Sequence, residues 1–145
     1  MKITTYLATC LSLCLTLFMV TSCKKNNKFD NYSLLTNDSW KVKDVKDDAG
    51  NSIIKECQKD DIIQFEKKAF SFIDGANKCS EGMFQKSAEW TFKDGGNSIK
   101  IKKVMKTNKG VSGAALVLRY DIVTLNDTEL TLKSDDDNNV YYFER

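Results

Sequence analysis

Residues 116–132 have the sequence LVLRYDIVTLNDTELTL. Apolar or aromatic side chains occupy every second position from Leu116 to Ile122, and the pattern returns at Leu130 and Leu132 after the break at Asn126-Asp127. A period of two is typical of a β-strand with one buried face, and a short Asn-Asp break is typical of a hairpin. This stretch therefore predicts two antiparallel strands joined by a tight turn.

The same alternation recurs through the chain after about residue 39, and no long segment there has the three-four spacing of an amphipathic helix. A short helical turn is expected near Tyr32 to Leu35. Breaks at Gly, Asn and Asp clusters divide the rest into eight predicted strands, at residues 39–46, 60–66, 69–74, 86–93, 97–104, 113–125, 128–134 and 139–144.

The predicted connections alternate between short and long. The second, fourth and sixth are tight, whereas the first, third, fifth and seventh are longer, at residues 47–59, 75–85, 105–112 and 135–138. In an up-and-down meander, odd and even connections lie at opposite ends of the sheet. We therefore predict an all-β, eight-stranded antiparallel up-and-down barrel with a closed base and a loop-rich, open mouth.

The N-terminal segment has the layout of a secretory signal, with Lys2 followed by an uncharged, mainly apolar stretch from Ile3 to Val20. The next residues complete the sequence Val20-Thr21-Ser22-Cys23, which resembles the lipobox of bacterial lipoproteins. The resemblance implies cleavage before Cys23 and attachment of fatty acyl chains, such as palmitate, to that cysteine. The alternative is an uncleaved anchor, since roughly 20 apolar residues span a bilayer, but the interspersed Thr and Ser residues favour the signal.

These features divide the chain into a signal peptide at residues 1–22, a lipidated cysteine and flexible spacer at residues 23–33, and a β-barrel domain at residues 34–145. Acidic residues just after the lipidated cysteine are associated with surface display in lipoproteins of Bacteroidota, and the spacer begins without them. Lys24 is also not the aspartate that favours inner-membrane retention in other Gram-negative bacteria. We expect an outer-membrane lipoprotein that faces the periplasm rather than the cell surface.

The cysteines carry a further prediction. Cys10 and Cys14 leave with the signal and Cys23 is blocked by lipid, which leaves Cys57 and Cys79 in an oxidising compartment. They fall in the first and third predicted connections, at the same end of the barrel, so we predict a disulfide between them. The alternatives are two free buried thiols or half of a zinc site, which a chain without histidine does not complete.

Composition argues against several classes of function. Without residues 1–22 the chain keeps 123 residues, with 21 basic and 20 acidic side chains, a balance that disfavours nucleic-acid binding. The absence of histidine removes the usual base for a Ser or Cys nucleophile. The adjacent carboxylates of Asp60-Asp61 point to opposite faces of a strand and so do not form a glycosidase pair. We expect no enzymatic activity and no cofactor.

The acidic segment Asp135-Asp136-Asp137-Asn138-Asn139 has the composition of a calcium loop. It lacks the alternate spacing and terminal Glu of an EF-hand. A solvated hairpin turn is the favoured interpretation, and no metal site is predicted.

Several pieces of the chain, taken together, resemble the lipocalin-like lipoproteins of Bacteroidota over roughly residues 34–145. They are Asn37-Asp38-Ser39-Trp40-Lys41-Val42, Cys57 to Phe65, Phe70-Ser71-Phe72 with Cys79, Ala88 to Phe92, Tyr120 to Leu125, Thr128 to Leu132, and Tyr141 to Arg145. In lipocalins a Gly-x-Trp motif opens the first strand, and an arginine near the end of the last strand packs across that Trp. The resemblance therefore implies that Arg145 stacks on Trp40 at the barrel base, although Asp38 stands where lipocalins have the glycine.

The inward-facing set is open to two interpretations, because an eight-stranded barrel is just wide enough either to be filled by side chains or to hold one small ligand. The first hypothesis is a calyx for a small hydrophobic or amphipathic ligand, and the second is a filled barrel that binds another envelope protein through its loops or wall. The possible ligand-lining residues are Phe65, Phe70, Phe72, Trp90, Leu116, Leu118, Tyr120, Tyr141 and Phe143.

Overall fold

The structure, a computed structural model, describes residues 27–79, 84, 87–106 and 112–145. The predicted signal peptide and Cys23 lie outside this part of the chain. One helix precedes eight strands: α1 (Asn27–Thr36), β1 (Trp40–Lys46), β2 (Ile62–Phe65), β3 (Ala69–Ile73), β4 (Ser87–Lys93), β5 (Ser98–Lys106), β6 (Ser112–Leu125), β7 (Glu129–Ser134) and β8 (Val140–Glu144).

The strands form a closed barrel in sequence order, and every neighbouring pair is antiparallel. β1 pairs with β8, so that Val42 lies opposite Phe143 and closes the sheet on itself. Closure leaves the barrel without an edge strand. The predicted fold class is confirmed, and the predicted strands are found with boundary shifts of one or two residues.

The connections confirm the predicted asymmetry of the two ends. Residues 66–68, 94–97 and 126–128 make the tight turns of the base, whereas residues 47–61, 74–86, 107–111 and 135–139 connect strands at the mouth. At the base, the side-chain oxygen of Asn126 accepts the backbone N–H groups of Thr128 and Glu129, each at 2.9 Å. This side chain replaces backbone partners in the turn, which is the usual role of Asn at such a position.

The barrel domain begins earlier than the sequence predicted. The expected helical turn near Tyr32 is part of a ten-residue helix that starts at Asn27 and packs across the base. Leu35 of α1 is fully buried, and the Asn31 side-chain amide donates to the carbonyl of Gly96 at 3.0 Å. The predicted spacer, residues 23–33, is therefore wrong for its second half, which belongs to the folded domain because it covers apolar surface at the base.

Bulges in β1 and β6 reset the alternation of buried and exposed side chains. In β1 the pairing shifts between Val42 and Asp44, which lets Val45 face the interior as Val42 does. In β6 the shift lies between Ile122 and Thr124, and it leaves Val123 61% exposed. A bulge opposes two residues to one on the partner strand, so a strict period of two does not extend across it.

No helix in the described part of the chain is long and apolar enough to cross a membrane.

Candidate functional site

The base of the barrel is closed around Trp40. This side chain is fully buried at the start of β1, and its indole N–H donates to the carbonyl of Leu35 at 3.1 Å. The guanidinium of Arg145 lies over the Trp40 ring, 3.9 Å from its centroid. Arg145 also donates to the carbonyls of Asp127, at 3.0 Å, and Leu34. The stacked pair expected from the sequence is present, and it ties the end of β8 to the turn after β6 and to α1.

A second group of rings fills the space above this pair. Trp90 donates its indole N–H to the carbonyl of Glu66 at 2.7 Å, and its ring stacks on Tyr32 of α1 at 6.0 Å between centroids. Phe65 meets the Trp90 ring edge-on at 5.2 Å. Two of the residues predicted to line a ligand, Phe65 and Trp90, thus pack in the lower half of the barrel against the helix that covers the base.

At the mouth, Cys57 and Cys79 form the predicted disulfide, with their Cα atoms 5.5 Å apart. Cys57 lies in the β1–β2 connection and Cys79 in the β3–β4 connection. The bond therefore joins the two longest connections at the rim.

The barrel interior also contains a residue that sequence reasoning missed. Phe84, in the β3–β4 connection, is only 6% exposed, and its ring lies within 6.2 Å of five other rings. These five side chains, which we call the aromatic cage, come from β3, β6 and β8: Phe70, Phe72, Tyr120, Tyr141 and Phe143. A phenylalanine outside every strand carries no periodic signal, so the sequence pattern gave no reason to place it inside.

The predicted aromatic lining residues form one continuous group of rings, because Phe65 contacts both Trp90 and Phe70 at 5.2 Å between centroids. Phe70, Phe72, Tyr120 and Phe143 are buried in the cage, and Tyr141 is half-buried beside them. Leu118 packs against the core from β6, whereas Leu116, two residues nearer the mouth, is half-buried. Five members of the predicted set surround Phe84, and Phe65 and Trp90 extend the same group of rings toward the base.

Two hydroxyl groups give the cage its polar side. Burial is the main cause that raises the pKa of Tyr120 above its ordinary value and the pKa of Tyr141 to about 12. The carboxylate of Asp137 raises the pKa of both tyrosines further, and Asp136 adds to the effect on Tyr120. Both phenols are therefore neutral at physiological pH, and negative charge lies close to the cage.

The acidic segment at residues 135–139 folds as a turn. Asp137 accepts the backbone N–H of Asn139 at 3.1 Å and its side-chain amide at 2.8 Å, and Asn138 adopts a left-handed conformation with φ 59°. Among the described residues, no group of three acidic or cysteine side chains is arranged to hold a metal ion.

A second acidic group lies at the rim between β2 and β3. Asp61 is 3% exposed and accepts the backbone N–H of Gly75 at 2.9 Å. Burial is the main cause that raises its pKa, with smaller contributions from Asp74 and Asp60, while the bond from Gly75 acts in the opposite direction. The Asp60 carboxylate packs so closely on Gly75 that a Cβ there would lie 2.2 Å from it. This group holds the β3–β4 connection against the start of β2.

No protein-family model and no curated protein matches the chain. Among solved structures, the chain is similar to a lipocalin-like protein from Bacteroides uniformis, with a TM-score of 0.52 and 16% sequence identity. The match covers 77% of this chain and 98% of that one. At this identity the likeness concerns the fold alone. Together with the closed eight-stranded meander, the helix-covered base and the Trp40–Arg145 pair, it establishes that this chain has the lipocalin-like fold.

Proposed function

We propose that this protein is a non-catalytic outer-membrane lipoprotein, anchored through Cys23, whose barrel holds a small hydrophobic or amphipathic ligand that enters through the mouth. The fold makes such binding possible, since eight-stranded barrels have room for one small ligand. The observation that carries the proposal is the position of Phe84. An aromatic side chain from a connection, rather than from the barrel wall, occupies the interior space between five rings.

The two ends of the barrel support entry at the mouth. At the base, α1 and the indole and guanidinium hydrogen bonds cover the interior. At the mouth, the strands are joined by long connections, and two large apolar side chains, Ile53 and Ile73, are 46% and 47% exposed. Exposed apolar side chains at the open end of the barrel are available to contact an apolar or amphipathic molecule.

The proposed anchor fixes the orientation of the barrel. Three residues separate Cys23 from the start of α1 at Asn27, and the four residue steps between them cover only about 14 Å even in a fully extended chain. The base therefore faces the membrane and the mouth faces away from it. Lys67 and Lys68, exposed beside a cleft of about 640 Å³ next to α1, then lie where anionic lipid head groups attract them.

The ligand is tested by native mass spectrometry of the full chain, extracted from its own host in a mild non-ionic detergent. We expect a reproducible added mass of lipid or metabolite size. The matched control is Leu118→Phe, which adds bulk to the interior wall and is expected to lower the bound fraction. A chain that carries no added mass, in either form, contradicts the proposal.

The anchor is tested separately by feeding cells an alkyne analogue of palmitate. The native chain and the Cys14→Ala control should both be labelled and found in the outer-membrane fraction. Cys23→Ala should lose the label. Labelling that survives in Cys23→Ala contradicts the proposed anchor.

The position of Phe84 also supports a second function, because Phe84 and the five cage residues together are consistent with a barrel that is filled by its own side chains. In that case the mouth, with exposed Ile53 and Ile73, binds another envelope protein. Photo-crosslinking from position 73 in intact cells distinguishes the two functions. A specific crosslinked protein, together with the absence of a bound small molecule, favours the interaction module.

A further inference from the structure

We propose that the aromatic cage is a binding site for an aromatic ring carrying a positive charge, such as an arylalkylamine, and that Phe84 occupies this site when the ligand is absent. The inference rests on the proposed function and names the class of ligand. It is carried by the ring geometry around Phe84 and by the charge of the mouth.

The cage already accommodates one aromatic ring. The Phe84 centroid lies 5.8 Å from Phe70, 5.9 Å from Phe72 and 6.0 Å from Tyr120. It lies 5.3 Å from Tyr141 and 6.2 Å from Phe143. All five distances fall in the range of favourable aromatic pairs, roughly 4.5–7 Å, and the rings are tilted by 40–64°. The space between β3, β6 and β8 therefore has the dimensions and chemistry of a benzyl-binding site.

Phe84 is held in place differently from the five cage residues that surround it. The five cage residues belong to strands whose backbones are paired on both sides in the closed barrel. Phe84 lies in the connection between β3 and β4, outside the strand ladders. Removal of its side chain from the cage breaks ring contacts but no ladder hydrogen bond. A ligand ring of equal size replaces the same contacts, so the exchange costs much less than the opening of a packed barrel.

The charge of the mouth selects the sign of the ligand. The described residues of the connections at this end include nine acidic and three basic side chains, although the chain as a whole has a net charge of +2. Asp136 and Asp137 belong to one of these connections, and Asp137 acts electrostatically on both cage tyrosines. A clustered charge of one sign raises the local concentration of ligands of the opposite sign.

The faces of the cage rings also favour a positively charged ligand, because an aromatic face attracts a cation. A ligand that combines a ring with an ammonium group uses both features at once. The ring takes the place of Phe84, and the ammonium group lies toward Asp137 and the tyrosine rings. A carboxylate on the same ring meets negative charge at the rim and is disfavoured.

The experiment compares three probes of nearly equal size: 2-phenylethylamine, ethylbenzene and 3-phenylpropionate. Binding is measured by saturation-transfer NMR and calorimetry on the full chain in detergent. We expect 2-phenylethylamine to bind about tenfold more tightly than 3-phenylpropionate, with ethylbenzene between them. Equal binding of the amine and the carboxylate overturns the inference.

Two variants locate the site. Phe84→Ala should bind 2-phenylethylamine at least about tenfold more tightly than the native chain, because no side chain has to leave the cage. Phe84→Leu, which is less disruptive to folding, should show a smaller gain in the same direction. Val123→Ala, at a 61% exposed position near the base end of β6, should bind as the native chain does. If neither Phe84 variant gains affinity, the cage is not the site.

A third variant tests the charge. Asp137→Asn should lower the preference for the amine over ethylbenzene and leave the affinity for ethylbenzene unchanged. An unchanged preference overturns the electrostatic part of the inference. A neutral or anionic molecule from the host, bound with no preference for the amine probe, overturns the inference and keeps the proposed function. The absence of both a host ligand and probe binding overturns both.

Discussion

The base and the mouth of the barrel both use buried aromatic residues, but they hold them differently. At the base, Trp40 and Trp90 donate their indole N–H groups to backbone carbonyls, and Arg145 adds a stacked guanidinium with its own backbone bonds. At the mouth, Phe84 has no polar group and comes from a connection, and the rim is tied instead by the Cys57–Cys79 disulfide.

This difference separates two tasks within one barrel. A ring that also makes a hydrogen bond is fixed in position, since its removal leaves a buried carbonyl without a donor. A ring held only by apolar contacts can be exchanged for another ring of similar size. We therefore expect the contacts at the base to contribute most to the free energy of unfolding. The interior space that another molecule can occupy is the one that Phe84 fills from the mouth.

The largest effect is expected from Trp40→Ala, which removes the centre of the base. Loss of a fully buried tryptophan should lower the free energy of unfolding by about 3–5 kcal/mol, with a decrease in Tm on the order of 10–20 °C. Thermal melts followed by circular dichroism measure it. Val123→Ala, at a 61% exposed position, is the control and should change stability by less than about 0.5 kcal/mol. If the two variants have the same Tm, the Trp40 side chain does not stabilise the barrel more than an exposed residue does.

Removal of the disulfide tests how much the mouth contributes to the free energy of unfolding. Cys57→Ser with Cys79→Ser opens a loop whose ends are 22 residues apart, and the free energy of unfolding should fall by about 3 kcal/mol because the unfolded chain regains freedom. Amide hydrogen exchange should accelerate near Gly75 at the rim, while the turn at residues 126–128 stays protected. Similar acceleration at both ends contradicts the separation of base and mouth.

Arg145→Met keeps most of the apolar stem but removes the charge that stacks on Trp40. We expect a loss of about 1–2 kcal/mol, from one cation–π contact and the two carbonyl acceptors that lose a donor. Urea unfolding compares it with Lys133→Met, an exposed position on β7. If the two substitutions cost the same, the stacked pair adds nothing beyond an ordinary surface charge.

The smallest effect is expected at Asp61, and it depends on pH. Because burial raises the pKa of Asp61 in the folded state, its stabilising contribution is complete below the unfolded pKa and is lost as the pH rises through the folded pKa. Asp61→Asn removes that loss and keeps an oxygen for the Gly75 N–H. The variant should be more stable than the native chain at pH 7 and equally stable at pH 3. An equal gain at both pH values contradicts the electrostatic cause.

Local periodicity explains how much of the fold was predictable. Alternation such as that at Leu118 and Tyr120 identifies strands, and the Asn126 and Asp94-Gly95-Gly96 breaks identify the turns of the base. The order of short and long connections then places Cys57 and Cys79 at one end, which predicted the disulfide. It places Trp40 and Arg145 at the other end, where the resemblance to lipocalins implied the stacked pair. The bulges in β1 and β6 interrupted the alternation. They were not predicted, because an unpaired residue leaves no mark in a pattern of apolar positions.

The sequence by itself therefore determined the strands, their antiparallel order and the two unlike ends, since each follows from neighbours close along the chain. Only the tertiary structure decided that α1 starts at Asn27 and covers the base, because its contacts with Trp90 and Gly96 join residues about sixty positions apart. The same holds for Phe84. Its burial depends on five rings from three separate strands, and a single apolar residue in an aperiodic connection acquires that environment only when the barrel has closed around it.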